Sequence, residues 1–208
     1  MILIIDYGLG NIRNIEKVIK SFGITPIISN SISDISNADS YILPGVGAFS
    51  DAMNKINALD IEKELRMNVL NKKKPILGIC LGMQLIGLSS EENGNCKGLG
   101  FLNFSVKKFK EDKRLRLPHI GWNEIEIVNK KSRLLNGIPN KSNFYFVHSY
   151  HACVENDLHI ASRTSYGEIF ISAIEYENIF ATQFHPEKSQ AYGLKIMKNF
   201  IDITYDKN

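Results

Sequence analysis

The chain has 208 residues, 44 % apolar and 23 % charged, with 25 basic against 22 acidic side chains and a net charge of +3. That balance belongs to a globular protein with room for a sizeable core, and the charge is too small to mark a nucleic-acid binder. Short basic runs such as Lys72-Lys73-Lys74 and Lys107-Lys108 read as solvated faces. The cysteines, Cys80, Cys96 and Cys153, are odd in number and form no C-x-x-C pair. This argues against a disulfide framework and a zinc site and for a reducing compartment. No apolar run approaches ~18 residues, so no membrane span is expected. Met1 to Asp6 reads as a first strand and not a signal peptide. The expectation is a cytoplasmic protein with one domain over 1–208.

Ile2 to Ile5 is a continuous apolar strand of the kind buried on both faces of a parallel sheet. Asp6-Tyr7-Gly8-Leu9-Gly10-Asn11 turns out of it, and Ile12, Ile15, Val18, Ile19 and Phe22 then recur at helical spacing until Gly23. Gly8 and Gly10 invite a dinucleotide fingerprint, but Arg13 stands where its third glycine is needed. Thr25 to Ser29 is a second strand and Ser40 to Leu43 a third. The third runs into Pro44-Gly45-Val46-Gly47-Ala48-Phe49, a tight turn whose glycines could also expose backbone N–H groups to an anion. A long helix from about Asp51 to Leu70 and a strand from Pro75 to Ile79 follow. Strict alternation of strand and helix predicts a three-layer α/β fold with a mostly parallel central sheet. Active sites in such sheets lie outside the carboxyl ends of the strands.

After Gly94 the pattern becomes short strands: 103–109, 124–128, 144–147, 159–162, 169–175 and 179–183. Turn residues separate them, as at Asn136-Gly137 and Glu155-Asn156-Asp157, and Lys-rich 110–114 reads as a surface loop tip. Antiparallel additions to the sheet are expected here. The last helix, about Ser189 to Thr204, presents Leu194, Met197, Phe200 and Ile201 as its core stripe.

Two stretches carry chemistry. Gly78-Ile79-Cys80-Leu81-Gly82 joins a strand to a helix and is the cysteine form of the G-x-S-x-G nucleophile elbow. Such a turn needs small neighbours and lifts the sulfur to a helix N-terminus, where thiolate is favoured. Downstream, Phe184-His185-Pro186-Glu187 follows a strand. Residues i and i+2 of an extended backbone share a side, so His185 and Glu187 are expected to face one site. A carboxylate beside an imidazole fixes its tautomer, which completes a Cys80, His185, Glu187 triad of nucleophile, general base and orienter. The other four histidines have no acidic residue at i+2. Among them His148 reads as structural or substrate-shaping.

These two signatures, with Gln84 and Gln183, resemble those of the class I (triad) glutamine amidotransferases, whose fold is flavodoxin-like. The stretches 6–11, 43–49, 118–123, 145–150 and 185–190 extend the resemblance along the whole chain. They point within that family to glutaminase subunits that serve a cyclase in histidine biosynthesis. The resemblance implies glutamine as substrate, no metal or organic cofactor, and a heterodimer with a (β/α)8-barrel cyclase subunit that receives the ammonia. It implies an oxyanion hole from Leu81 and the Val46-Gly47 loop, a loop that in this family rearranges with the partner. It also implies glutamine contacts at Gln84, Glu92, Ser149 and Tyr150, and partner contacts at Asn11, Tyr145 and Lys188. Departures occur at Leu102-Asn103-Phe104 after Phe101, at Gly87 and at His151, all outside the triad. They keep open a paralogue that supplies ammonia for amidination of a bacterial surface sugar. Elbow cysteines also occur in stress-response and peptidase-like α/β proteins, which have no need of Gln84, the 44–47 loop and His-Pro-Glu together.

Overall fold

A computed structural model describes residues 1–110, 115–154 and 159–205. The loop tip expected at 110–114, apart from Lys110, and the turn expected at 155–157 lie outside the described residues. The amino-terminal half contains β1 (Ile2–Ile5), α1 (Ile12–Ser21), β2 (Ile27–Ser29), α2 (Ile32–Asn37), β3 (Ser40–Leu43), α3 (Phe49–Ala58), α4 (Glu62–Arg66), β4 (Ile76–Ile79) and α5 (Leu81–Leu85). Then come β5 (Ser89–Ser90), β6 (Cys96–Lys97), β7 (Phe104–Lys108), β8 (His119–Glu124), β9 (Glu126–Ile127), β10 (Asn143–His148) and β11 (Tyr150–Val154). The chain closes with β12 (Ile160–Tyr166), β13 (Glu168–Tyr176), β14 (Ile179–Thr182) and α6 (Gln190–Tyr205).

The main sheet runs β2-β1-β3-β4-β14-β13-β12-β9. Its first five strands are parallel, and β13, β12 and β9 add antiparallel at one edge. Side chains alternate across a strand, and here both sets are apolar. Leu3, Ile5, Tyr41, Leu43 and Ile76 pack against α2, α3 and α4 on one face. Ile2, Ile4, Ile42, Leu77 and Ile79 pack against α1 and α6 on the other. Helices therefore cover both faces, giving three layers. Two smaller sheets, β10-β8 and β11-β7-β5-β6, lie beside them.

Three expectations need correcting. The helix expected over 51–70 is two: α3 ends at Ala58, Asp60 takes a φ of 53°, and the chain resumes at Glu62, with a π-helical turn at Met67–Asn71. The apolar period continues across that break because Ile61, Leu65 and Val69 all reach the same core. Leu194 is 40 % exposed, and Ile196 takes the core position instead. Helix α2 was not expected; its signal is Ser31, whose hydroxyl caps the Asp34 N–H at 3.1 Å.

The unusual Gly87 has a packing reason. A Cβ there would stand 2.5 Å from the Phe104 ring, and one on Gly98 would stand 2.3 Å from the Gly87 carbonyl. His151 instead packs its ring 4.7 Å from that of Phe109.

Candidate active site

The carboxyl ends of β3, β4 and β14 converge on one cavity of about 410 Å3, lined by Val46, Gly47, Cys80, Leu81, Gln84, Glu92 and Val147 together with Pro118, His148, Ser149, Tyr150, His185 and Lys188. Cys80 follows β4 directly. Its N–H still belongs to the sheet, bonded to the Thr182 carbonyl at 2.7 Å, while its carbonyl already accepts the Gln84 N–H at 3.3 Å. The chain changes from strand to helix within this one residue, at φ 55° and ψ −109°, in a region that L side chains resist. The flanking glycines permit it. A Cβ on Gly82 would lie 1.8 Å from the Leu43 carbonyl oxygen, and one on Gly78 would lie 2.8 Å from that of Gly82.

The imidazole comes from the other side. His185 N–H bonds to the Tyr145 carbonyl at 2.9 Å and the Ser189 hydroxyl donates to the His185 carbonyl at 2.6 Å, so β10 and the start of α6 hold its backbone. The extended stretch expected through Glu187 is replaced by a 3-10 turn, Pro186–Lys188, with His185 as its extended first residue. That turn, and not strand alternation, curls the carboxylate back. Glu187 Oε1 lies 2.9 Å from His185 Nδ1, and the two side chains are 0 % and 2 % exposed. Asn11 Nδ2 reaches the same oxygen at 3.4 Å. His185 Nε2 is buried and makes no hydrogen bond among the described residues. An orphaned buried nitrogen costs roughly 1–3 kcal/mol, and this one stands in the cavity wall with Cys80. Burial favours neutral imidazole, but the negative charge at Cys80 and then Glu187 outweigh it and raise His185 to about 10.

The 44–47 loop is braced from behind. Tyr7 donates its phenol to the Pro44 carbonyl at 2.7 Å, and a Cβ on Gly45 would stand 2.6 Å from that of Leu81. Burial first, and Cys80 second, push the Tyr7 phenol well above its usual range. Val46 is 38 % exposed, and Gly47 has a φ of 96°. Glu92 points one oxygen at the Phe49 N–H, 2.8 Å away, at the start of α3. Gln84 directs its amide nitrogen to the Tyr150 carbonyl at 2.9 Å and to Gln183 Oε1 at 3.1 Å. Tyr150 O also lies 2.9 Å from His148 Nδ1, and His148 Nε2 lies 3.1 Å from His119 Nδ1. Burial, foremost, depresses His148 to about 3, so it stands neutral in the wall.

Of the residues singled out from sequence, all but Glu187, Asn11 and Tyr145 line the cavity; Glu187 and Asn11 stand behind His185. Lys188 sets its ammonium 5.5 Å from the Tyr145 ring centroid, and Trp122 meets that ring edge-on at 5.9 Å. Sequence reasoning missed Tyr7, Pro118 and Val147, and gave Gln183 no role although it sits two residues before His185. The described residues contain no cluster suited to a metal and no helix long and apolar enough to cross a membrane.

A family model described as glutamine amidotransferase class-I matches residues 3–203. The chain is 46 % identical over 203 residues to imidazole glycerol phosphate synthase subunit HisH 1 of Campylobacter jejuni, covering 98 % of this chain and 100 % of the relative. The HisH subunit of Methanocaldococcus jannaschii is also 46 % identical, over 98 % of this chain and 100 % of its own. That of Aquifex aeolicus is 43 % identical over 95 % and 94 %. Among solved structures, a putative GMP synthase protein from Thermoplasma acidophilum superposes with a TM-score of 0.74 at 24 % identity, covering 98 % of this chain and 92 % of that one. PurLQS from Thermotoga maritima gives 0.74 at 17 %, covering 97 % of each. These structural likenesses concern the fold.

Proposed function

The chain belongs to the class-I glutamine amidotransferase family, and on that footing we propose that its 208 residues act as one glutaminase domain of a two-subunit imidazole glycerol phosphate synthase. The Cys80 sulfur attacks the side-chain amide carbon of glutamine, forming a C–S bond as the carbonyl electron pair moves onto oxygen. The Leu81 N–H, at the first turn of α5 where no intrahelical acceptor exists, and an N–H of the Val46-Gly47 loop hold that oxyanion. Each such donor is worth about 3–4 kcal/mol in comparable sites. Collapse expels ammonia with the proton that His185 Nε2 delivers, leaving a thioester. His185 then takes a proton from water, the hydroxide displaces sulfur, and glutamate departs. Glu187 keeps His185 in the tautomer and orientation that both steps need. Gln84 Oε1 and the free oxygen of Glu92 receive the substrate ammonium, and the backbone of Ser149 and Tyr150 receives its carboxylate end.

The observation that carries this reading is the buried, unpartnered His185 Nε2 beside Cys80, with its other nitrogen held by Glu187. The ammonia passes to a (β/α)8-barrel cyclase subunit that makes imidazole glycerol phosphate and AICAR in histidine biosynthesis. The HisH names of relatives 43–46 % identical support this acceptor, and the surface-sugar alternative is not favoured. The partner docks against the surface that carries Asn11, Tyr145 and Lys188, of which Lys188 lines the cavity. Three unpaired cysteines fit a cytoplasmic enzyme. The test is incubation with a glutamine-derived chloroketone, followed by glutaminase assays with and without the cyclase and its phosphorylated ribonucleotide. Covalent label on Cys80 and stimulation by both additions are expected. An unlabelled Cys80 sinks the glutaminase reading, and indifference to the cyclase sinks the acceptor.

A further inference from the structure

Gln183 is fully buried at the end of β14, where its N–H extends the sheet onto the Ser172 carbonyl at 2.9 Å. Its side chain lies between Gln84 and the nucleophile: Oε1 accepts from Gln84 Nε2 at 3.1 Å, and Nε2 donates to Cys80 Sγ at 3.7 Å. The polarity of this chain of bonds is set at its far end. Gln84 Nε2 also donates to the Tyr150 carbonyl at 2.9 Å, and a carbonyl can only accept. Gln84 must therefore show its nitrogen there and to Gln183. Gln183 must answer with its oxygen, which leaves its nitrogen for the sulfur. Flipping either amide sets two donors or two acceptors face to face.

We propose that Gln183 is a positioning residue that holds Cys80 as the thiolate and fixes its direction in the cavity. This rests on the reading of Cys80 as the nucleophile. A second group pulls the other way. The Val147 carbonyl lies 3.7 Å from the sulfur, and as an acceptor it favours the thiol, whose S–H it can receive. The two contacts thus serve opposite protonation states, and the Gln183 donor favours the reactive one. Ionisable groups facing the sulfur are His185 and Tyr7, with His148, Tyr150, Glu92 and Lys188 around the same cavity.

The test compares the full-length protein with Gln183→Glu and Gln183→Met. Glutamate keeps an oxygen for Gln84 and offers no donor to sulfur; methionine removes both functions without adding charge. Alkylation of Cys80 by iodoacetamide is followed across pH by mass spectrometry of its peptide, which separates it from Cys96 and Cys153. We expect the alkylation midpoint to rise by about one pH unit in Gln183→Met, a tenfold loss of thiolate at pH values below both midpoints, and by more in Gln183→Glu, whose added charge also opposes the thiolate. Glutaminase activity should fall by the same factor as the thiolate fraction at each pH and recover as the pH is raised. A midpoint unchanged from wild type, or activity lost equally at every pH, overturns the proposal. If Gln183→Met does not fold, Gln183→Leu, equally without donor or added charge, decides between these outcomes. Chloroketone labelling of the wild type is read in parallel: its failure removes the nucleophile reading, whereas the midpoint reports on Gln183 regardless.

Discussion

His185 and His148 line one cavity and are driven in opposite directions. Burial works against charge on both, but only His185 faces a negative sulfur and a carboxylate. Removing the sulfur's charge should therefore lower His185. In Cys80→Ser we expect its imidazole to titrate well below the wild-type position near 10, read from its Cε1 proton by NMR; an unmoved titration would deny the pairing. His148 makes a stability prediction. Its folded value of about 3 lies below the ordinary 6.5, so the unfolded chain binds the extra proton between those limits. Its contribution is complete above pH 6.5 and is lost as the pH falls toward 3. His148→Gln should flatten the decline in urea stability over that window, by up to about 1.4 kcal/mol per pH unit. Asn11 belongs at this scale too: the resemblance marked it as a partner contact, yet its amide bonds to Glu187, so one residue touches both the His185–Glu187 pair and the expected interface.

At the scale of elements, the site depends on a close approach of α5 to β3 and on a loop that is strained but roomy. Gly82→Ala sets a methyl 1.8 Å from the Leu43 carbonyl, in backbone and not in a yielding side chain. It should destabilise the protein by at least about 1–3 kcal/mol and abolish activity, seen as a lowered melting temperature and no ammonia release. Gly47→Ala meets nothing within 4 Å, but its φ of 96° strains any L residue. A cost of about 1–2 kcal/mol is expected, falling on loop conformation and hence on turnover more than on melting temperature. If the two variants behave alike, the distinction between close packing and backbone strain is wrong. The 3-10 turn after His185 belongs with them. The i, i+2 spacing of a strand anticipated that His185 and Glu187 would face each other, and a different backbone brought them together.

The whole molecule sets an open cavity beside an exposed aromatic and cationic patch. Trp122, the chain's single tryptophan, is 46 % exposed beside Tyr145, and Lys188 lies over that ring. Binding of the barrel cyclase should change Trp122 emission, and Trp122→Phe should remove that change. Within the complex, Cys80→Ala should abolish synthesis from glutamine while ammonia still supports it, because the partner needs only the nitrogen. Continued turnover with glutamine would show that the nitrogen is released elsewhere.

The alternating α/β order, the elbow and the His-Glu pair were legible in the order of residues, because each is written in local spacing: apolar runs, paired glycines, and a cysteine at a strand-to-helix junction; the family was legible as a resemblance of whole motif stretches. That spacing could not resolve α3 from α4, since Ile61 and Leu65 keep one apolar face across a break in the backbone. Nor could it order eight strands into one sheet, because hydrogen-bonding partners such as β4 and β14 are about a hundred residues apart in the chain. It took the folded molecule to bring Gln183 to Cys80, Tyr7 to the back of the 44–47 loop and Glu92 to the start of α3. Those contacts join residues 37 to 103 apart in the chain, and their chemistry follows from distance and direction in space, which no local pattern of residue types encodes.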